Sequence, residues 1–286
     1  MTYDKLWTAY KTTDVYPSGH TNAGKIWDMY STCVFTYSTN QCGNYSNECD
    51  CYNREHSLPK SWFNDATPMY YDLGHIVPTD GYVNNKRSNY PFGEVNSASY
   101  SYGGSKLGTA KSVSASNTIV NTSGSTTQTC ASTVFEPADD YKGDFARMYM
   151  YMRVRYYNTN FTQDGSYGKY HFSTTYTKAG YYGLTAYSVA LLMKWHRQDP
   201  VSQKEIDRNN AMQTVQGNRN PFIDYPCLAE YLWGEHTGET FSTSTSIGSF
   251  ESSFTPGSSS GCSSGGSSTT NYTLTWKVNG TTSSTT

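Results

Sequence analysis

The stretch "CYNREHSLPKSW", Cys51 to Trp62, sets a carboxylate beside an imidazole at Glu55 and His56, just before Leu58 and Pro59, where a strand would end. Farther along, "YDLGHIVPTDGYVNNKRSNYPFGEV" gathers Asp72, His75, Asp80, Asn84, Asn85, Lys86, Arg87 and Asn89 into one polar run. A carboxylate with an amide oxygen suits a hard cation such as magnesium, and neighbouring Lys and Arg suit a phosphate ester. A histidine next to a glutamate is ordinary by itself; the polar run that follows is what raises it to a candidate for chemistry.

These groups have to be positioned. Neighbouring side chains on a strand point to opposite faces, so Glu55 and His56 serve one site only where the strand frays or bends, which Pro59 allows. Tyr3, Leu6, Trp7 and Tyr10 share the spacing of one helical face and predict an opening helix. From about Asp14 to Cys51 the composition is that of loops and short strands tied by disulfides. Residues 101–133, rich in Ser, Thr, Gly and Ala, read as a surface excursion, and "GGSKLG" lacks the Gly-Lys-Ser/Thr ending of a phosphate loop. A second helix places Phe145, Met148, Tyr149 and Met152 on one face, Arg147 on the other, and Asp144 near its positive end. Leu184, Tyr187, Leu191 and Trp195 make a third, which ends before Asp199-Pro200. A fourth starts at the capping-box pair Ser202 and Glu205 and stops at Gly217, with "GNRNPF" following as a tight polar turn.

The 286 residues are enough to bury a core, and only 15% are charged against 15% aromatic, a mix that suits an exported protein. A net charge of −2 argues against holding nucleic acid by bulk electrostatics, so an anionic partner must be met by a local patch. No window approaches the length of a membrane span, and "MTYDKLW" lacks the pattern of a secretory signal, which is either absent or already removed. Cys33, Cys42, Cys49 and Cys51 crowd together at spacings unlike a structural zinc knuckle, which favours disulfides. With seven cysteines in all, one stays unpaired within the chain.

"NREHSLPKSW", Asp-Leu-x-His at Asp72 to His75, "PTDGYVNNKRSNYPFGEV", "KGDFARMYMYM" and "VQGNRNPF" together resemble the endonuclease I family of ββα-metal, or His-Me finger, nucleases, from about Tyr3 to Trp233. The resemblance implies an α+β nuclease domain over 1–236, in which two strands and a helix wrap one divalent ion. It also implies His56 as general base and Glu55 and Asn84 as metal ligands. The ion would be Mg2+, with Mn2+ or Ca2+ as alternatives. The pattern departs at Gly74, where family members commonly carry the first of two histidines. The resulting "DLGH" makes His75 the rival base, with Asp72 as its support. His56 is preferred because His75 lies too close to Asn84 for an intervening strand and helix entry, which leaves Asp72 and His75 as a supporting polar network. Phosphate contacts would come from Arg54, Lys86, Arg87 and Arg147, with Arg219 beside them if the "GNRNPF" turn folds over the cleft. Beyond the domain, 237–270 read as a flexible Ser/Thr/Gly linker and 271–286 as the start of a truncated β segment with an Asn279-Gly280 hairpin signal.

The expected function is a secreted or periplasmic monomeric endonuclease that cuts DNA, and RNA as a second substrate, leaving 5′-phosphate ends. The competing expectation is a non-enzymatic extracellular module that binds carbohydrate or another polymer through its aromatic residues. A cysteine hydrolase acting through Cys51 is a third and weaker one.

Overall fold

Leu6 and Tyr10 are fully buried, and the segment carrying them coils into the helix Lys5–Thr13 (α1). The computed structural model describes residues 1–114, 127, 128, 130–241, 275–278 and 281–284. Ile26–Trp27 (β1) and Val34–Phe35 (β2) pair antiparallel, and the loops around them are closed by the bridges Cys33–Cys49 and Cys42–Cys51. Cys227 is disulfide-bonded as well, and Cys130 is a free thiol. With Cys51 held in a bridge, a hydrolase using it as nucleophile is ruled out.

Tyr52–His56 (β3) pairs antiparallel with Ile76–Asp80 (β4), His56 facing Ile76 and Tyr52 facing Asp80. Pro78 costs this ladder little, because each strand of a two-stranded sheet keeps one free edge. The chain passes from β4 straight into the helix Gly81–Arg87 (α2). Asp80 makes this turn by accepting hydrogen bonds from the Tyr82 and Val83 amides at 2.8 and 2.9 Å. A Cβ on Gly81 would lie 2.4 Å from Cys42 Sγ, so the Cys42–Cys51 bridge packs directly on the first residue of α2.

The stretch expected to be a surface excursion is partly a sheet. Val95–Tyr102 (β5) and Ser105–Ala110 (β6) form a hairpin turning at Gly103 and Gly104, whose φ angles are 56° and 91°. Beyond it, Val113–Ser114 (β7) pairs with Thr127–Gln128 (β8), and Thr133–Glu136 (β9) returns to the other side of β6. The central position of β6 is held by backbone ladders on both sides. A Cβ on Gly108 would meet the Ser97 carbonyl oxygen at 2.1 Å, so this poorly apolar sequence suits close strand contact.

Lys142–Arg155 (α3) differs from its expected amphipathic form, for it is buried all round from Lys142 to Arg153. Phe145, Tyr149 and Met152 join Trp62, Phe92 and the apolar side of Ala186–Gln198 (α4) in the main core. Gln203–Gln216 (α5) starts with both bonds of the Ser202–Glu205 capping box and ends at Gly217, whose φ is 86°. Two short helices, Pro221–Asp224 (α6) and Leu228–Trp233 (α7), follow. The whole is α+β, with small sheets and seven α-helices among the described residues. Beyond residue 241 the expected linker lies outside the described residues. Thr275–Val278 (β10) pairs with Thr281–Ser284 (β11) across the expected hairpin position, whose Asn279-Gly280 turn also lies outside them.

Candidate active site

The β3 ladder stops at His56, and there the conflict between neighbouring side chains is resolved. Ser57 leaves the strand with its amide 3.1 Å and its hydroxyl 2.8 Å from the His75 carbonyl. Arg87, on α2, donates to the His56 and Ser57 carbonyls at 3.0 and 2.7 Å and pins the chain as it turns. Glu55 and His56 therefore line one cleft of about 310 Å³, together with Asn84 from α2. They are only 4% and 6% exposed, so they form its floor.

Glu55 Oε1 accepts from the Tyr30 hydroxyl at 2.8 Å and from Arg87 at 2.7 Å. Burial raises the pKa of this carboxyl, while Arg87, Tyr30 and Asn84 pull it back down. Asn84 donates through Nδ2 to Asn53 Oδ1 at 2.6 Å, which leaves its amide oxygen as the lone-pair end. A carboxylate and a side-chain amide lining one cleft are ligand types that fit a hard divalent cation completed by water.

His56 Nε2 lies 3.1 Å from the Tyr70 carbonyl. A carbonyl only accepts, so Nε2 carries the hydrogen and the lone pair sits on Nδ1, for which no described residue supplies a partner. Burial, with His75 as the second cause, pushes the imidazole pKa down to about 3, so the ring is neutral at ordinary pH. Tyr3 stacks at 5.7 Å between ring centroids and Tyr70 lies at 5.2 Å.

His75 stands behind, at 5.6 Å from His56, fully buried and outside the cleft lining, with Nε2 at 2.8 Å from the Met69 carbonyl. Asp72 is a hub that accepts from Tyr151, Tyr156, Gln216 and the Gly74 amide and pairs with Arg155 at 3.1 Å. The spacing argument against His75 does not hold, because β4 and the start of α2 do fit between His75 and Asn84. Burial away from the cleft is what sets His75 apart.

The expected phosphate contacts divide. Arg54 lines the cleft, its guanidinium 3.6 Å from the centroid of the Tyr3 ring and bonded to the Tyr3 carbonyl at 2.9 Å. Arg87 lines it too but is buried on Glu55. Lys86 stands outside the lining, over the rings of Tyr82 and Tyr100. Arg147 corrects the expectation outright: it is 0% exposed and donates two hydrogen bonds to Glu205, at 2.6 and 2.7 Å, so it cannot meet a phosphate in the cleft. Arg219 pairs with Asp224 at 2.7 Å and is not in the lining. Asn53 and Lys60, which are not among the residues expected from the sequence, line the cleft as well. Asn53 sits two residues before Glu55, on the same face of β3, a period-2 signal that would have found it. Tyr3, brought in from α1's leading edge, carries no local signal.

A family model described as Endonuclease I matches residues 1–227. An extracellular ribonuclease of Bacillus amyloliquefaciens is 31% identical over 236 residues, which cover 82% of this chain and 68% of the relative. An extracellular ribonuclease of Bacillus subtilis (strain 168) is also 31% identical over 236 residues, 82% of this chain and 69% of the relative. An extracellular deoxyribonuclease of Aeromonas hydrophila is 27% identical over 159 residues, 56% of this chain and 52% of the relative.

Proposed function

The chain belongs to the endonuclease I family, and from that premise we propose that it is a secreted, cation-dependent endonuclease that hydrolyses phosphodiester bonds of DNA and RNA with little sequence preference and leaves 5′-phosphate ends. One observation carries this reading: a neutral imidazole whose Nδ1 has no partner among the described residues, a carboxylate and an amide share one cleft. Relatives named as ribonucleases and as a deoxyribonuclease support both polymers, and their extracellular naming, with the bridges Cys33–Cys49 and Cys42–Cys51, supports secretion. No described helix is long and apolar enough to cross a membrane.

In this reading β3, β4 and α2 are the two strands and helix of a ββα-metal core. His56 takes the proton of the attacking water at Nδ1, while its Nε2–H on the Tyr70 carbonyl holds the ring in place. Glu55 and Asn84 would hold the divalent cation, Mg2+ before Mn2+ or Ca2+. When bound, that cation supplies positive charge against the charge developing on the phosphate and the leaving 3′ oxygen. Arg87 orients Glu55, and Arg54 and Lys60 meet backbone phosphates at the rim. A module that merely binds a polymer has no use for a neutral imidazole beside a buried carboxylate, and nothing favours that alternative.

The test is nicking of supercoiled plasmid and of RNA with magnesium, then with EDTA. Chelation is expected to abolish cleavage, and fragments are expected to accept label from a 5′-kinase only after phosphatase treatment. Cleavage that persists in EDTA, or His56→Ala cutting as fast as wild type, overturns the assignment.

A further inference from the structure

We propose that Tyr45 is a base-stacking residue of this cleft and that it makes unpaired nucleotides, in RNA or single-stranded DNA, the preferred substrate. The proposal rests on the nuclease reading of the cleft and deepens it. Two tyrosines line the cleft, Tyr3 and Tyr45. The Tyr3 ring is already covered, by Arg54 at 3.6 Å and Tyr70 at 4.7 Å. Tyr45 is half-buried and has no hydrogen-bond, ring or cation partner among the described residues.

Its backbone is nevertheless fixed. The loop that carries it is closed by the Cys42–Cys51 bridge and tied to β3 by the Cys42 amide on the Tyr52 carbonyl at 2.9 Å. Within the loop, Asp50 Oδ2 accepts from the Ser46 and Asn47 amides at 2.8 and 2.9 Å. The bridge itself rests on Gly81, the first residue of the helix that presents Asn84. The Tyr45 loop is therefore braced against the two elements that hold the acid, the imidazole and the amide. A partner meeting Tyr45 has little loop ordering to overcome.

Apart from Pro59 and the acid Glu55, the remaining lining is neutral polar or cationic, with Arg54 and Lys60 to meet a backbone phosphate, and the planar group that arrives beside a phosphate is a nucleobase. Stacking on a phenol ring accepts any base, in keeping with low sequence preference. In a duplex both faces of a base are occupied by its neighbours, so only an unpaired nucleotide swings onto Tyr45 without the cost of unstacking.

The experiment compares kcat/KM on one end-labelled oligonucleotide, single-stranded and annealed to its complement, with magnesium, for wild type, Tyr45→Ala, Tyr45→Phe and His56→Ala. Wild type is expected to prefer the single strand. Tyr45→Ala is expected to lower the single-to-double-strand ratio by about tenfold to a hundredfold, mainly through KM, whereas Tyr45→Phe keeps it. An abasic nucleotide at the stacked position should slow wild type and add nothing to Tyr45→Ala. The urea midpoint of Tyr45→Ala should stay close to wild type, since the half-buried ring has no hydrogen-bond, ring or cation partner among the described residues. An unchanged ratio in Tyr45→Ala, or an equal loss in Tyr45→Phe, overturns the stacking assignment while leaving the nuclease reading intact. If wild type cuts neither substrate, or His56→Ala cuts both, the reading of the cleft fails and Tyr45's role falls with it.

Discussion

At the scale of single residues, the cations divide by burial. Arg54 meets the cleft, whereas Arg147 is enclosed and paired with Glu205. Arg54→Ala should flatten the dependence of log kcat/KM on log salt by about one unit, as expected for the loss of one phosphate contact. Arg147→Met should leave that slope alone and destabilise the fold by about 3–5 kcal/mol, because it strands a buried carboxylate. Salt titration of activity and urea unfolding separate the two roles. His56→Ala should lower kcat by roughly 10²–10⁴, the usual contribution of a general base.

Among the elements, tertiary packing fills the space around Gly74. A Cβ at Gly74 would lie 2.0 Å from Tyr151 Cε1, so the ring from α3 occupies the space a side chain there would need. That ring is held by its hydroxyl on Asp72 at 2.8 Å. Gly74→Ala should therefore cost about 1–3 kcal/mol through overpacking. Pairing it with Tyr151→Leu should cost less than the sum of the two, as chemical denaturation of the four-member cycle would reveal. Helix α5 is a different lesson. Its ends are written locally at Ser202, Glu205 and Gly217, yet apart from Met212 its buried residues are polar: Glu205, Arg208 and Asn209. Arg208 reaches the carbonyls of Leu73 and Ile76, both at 2.8 Å, and pairs with Asp14. A search for apolar periodicity passes over such a face.

Over the whole molecule, buried imidazoles couple stability to pH. His171 is fully buried between the Ser188 hydroxyl and the Phe92 carbonyl, and burial pushes its pKa down to about 3. The unfolded chain, with a pKa of about 6.5, binds the proton more readily. The contribution of His171 is complete above that value and is lost as pH falls toward 3. Asp28, pushed up to about 7 by burial, has the opposite sign, so its contribution is lost as pH rises through 7. Because such groups oppose one another in mild acid, the difference between wild type and His171→Gln is the measurement to make. The advantage of wild type in urea unfolding should shrink steadily below about pH 6.5. An advantage constant with pH would mean that His171 is not held neutral by the fold.

By itself the sequence determined the residues that can do chemistry and the points where helices begin and end. Glu55, His56 and Asn84 stand in motifs, and a capping box or a C-terminal glycine acts within a few residues of itself. Only tertiary structure decided which charges face the cleft. Burial depends on partners remote in sequence: Glu205 lies 58 residues from Arg147 and Tyr30 lies 25 from Glu55. The same non-locality made a Ser/Gly-rich segment the central strand β6, put His75 behind the cleft, and brought Tyr45 into its lining. A side chain's environment is the sum of what the whole chain packs around it, and no local pattern records that sum.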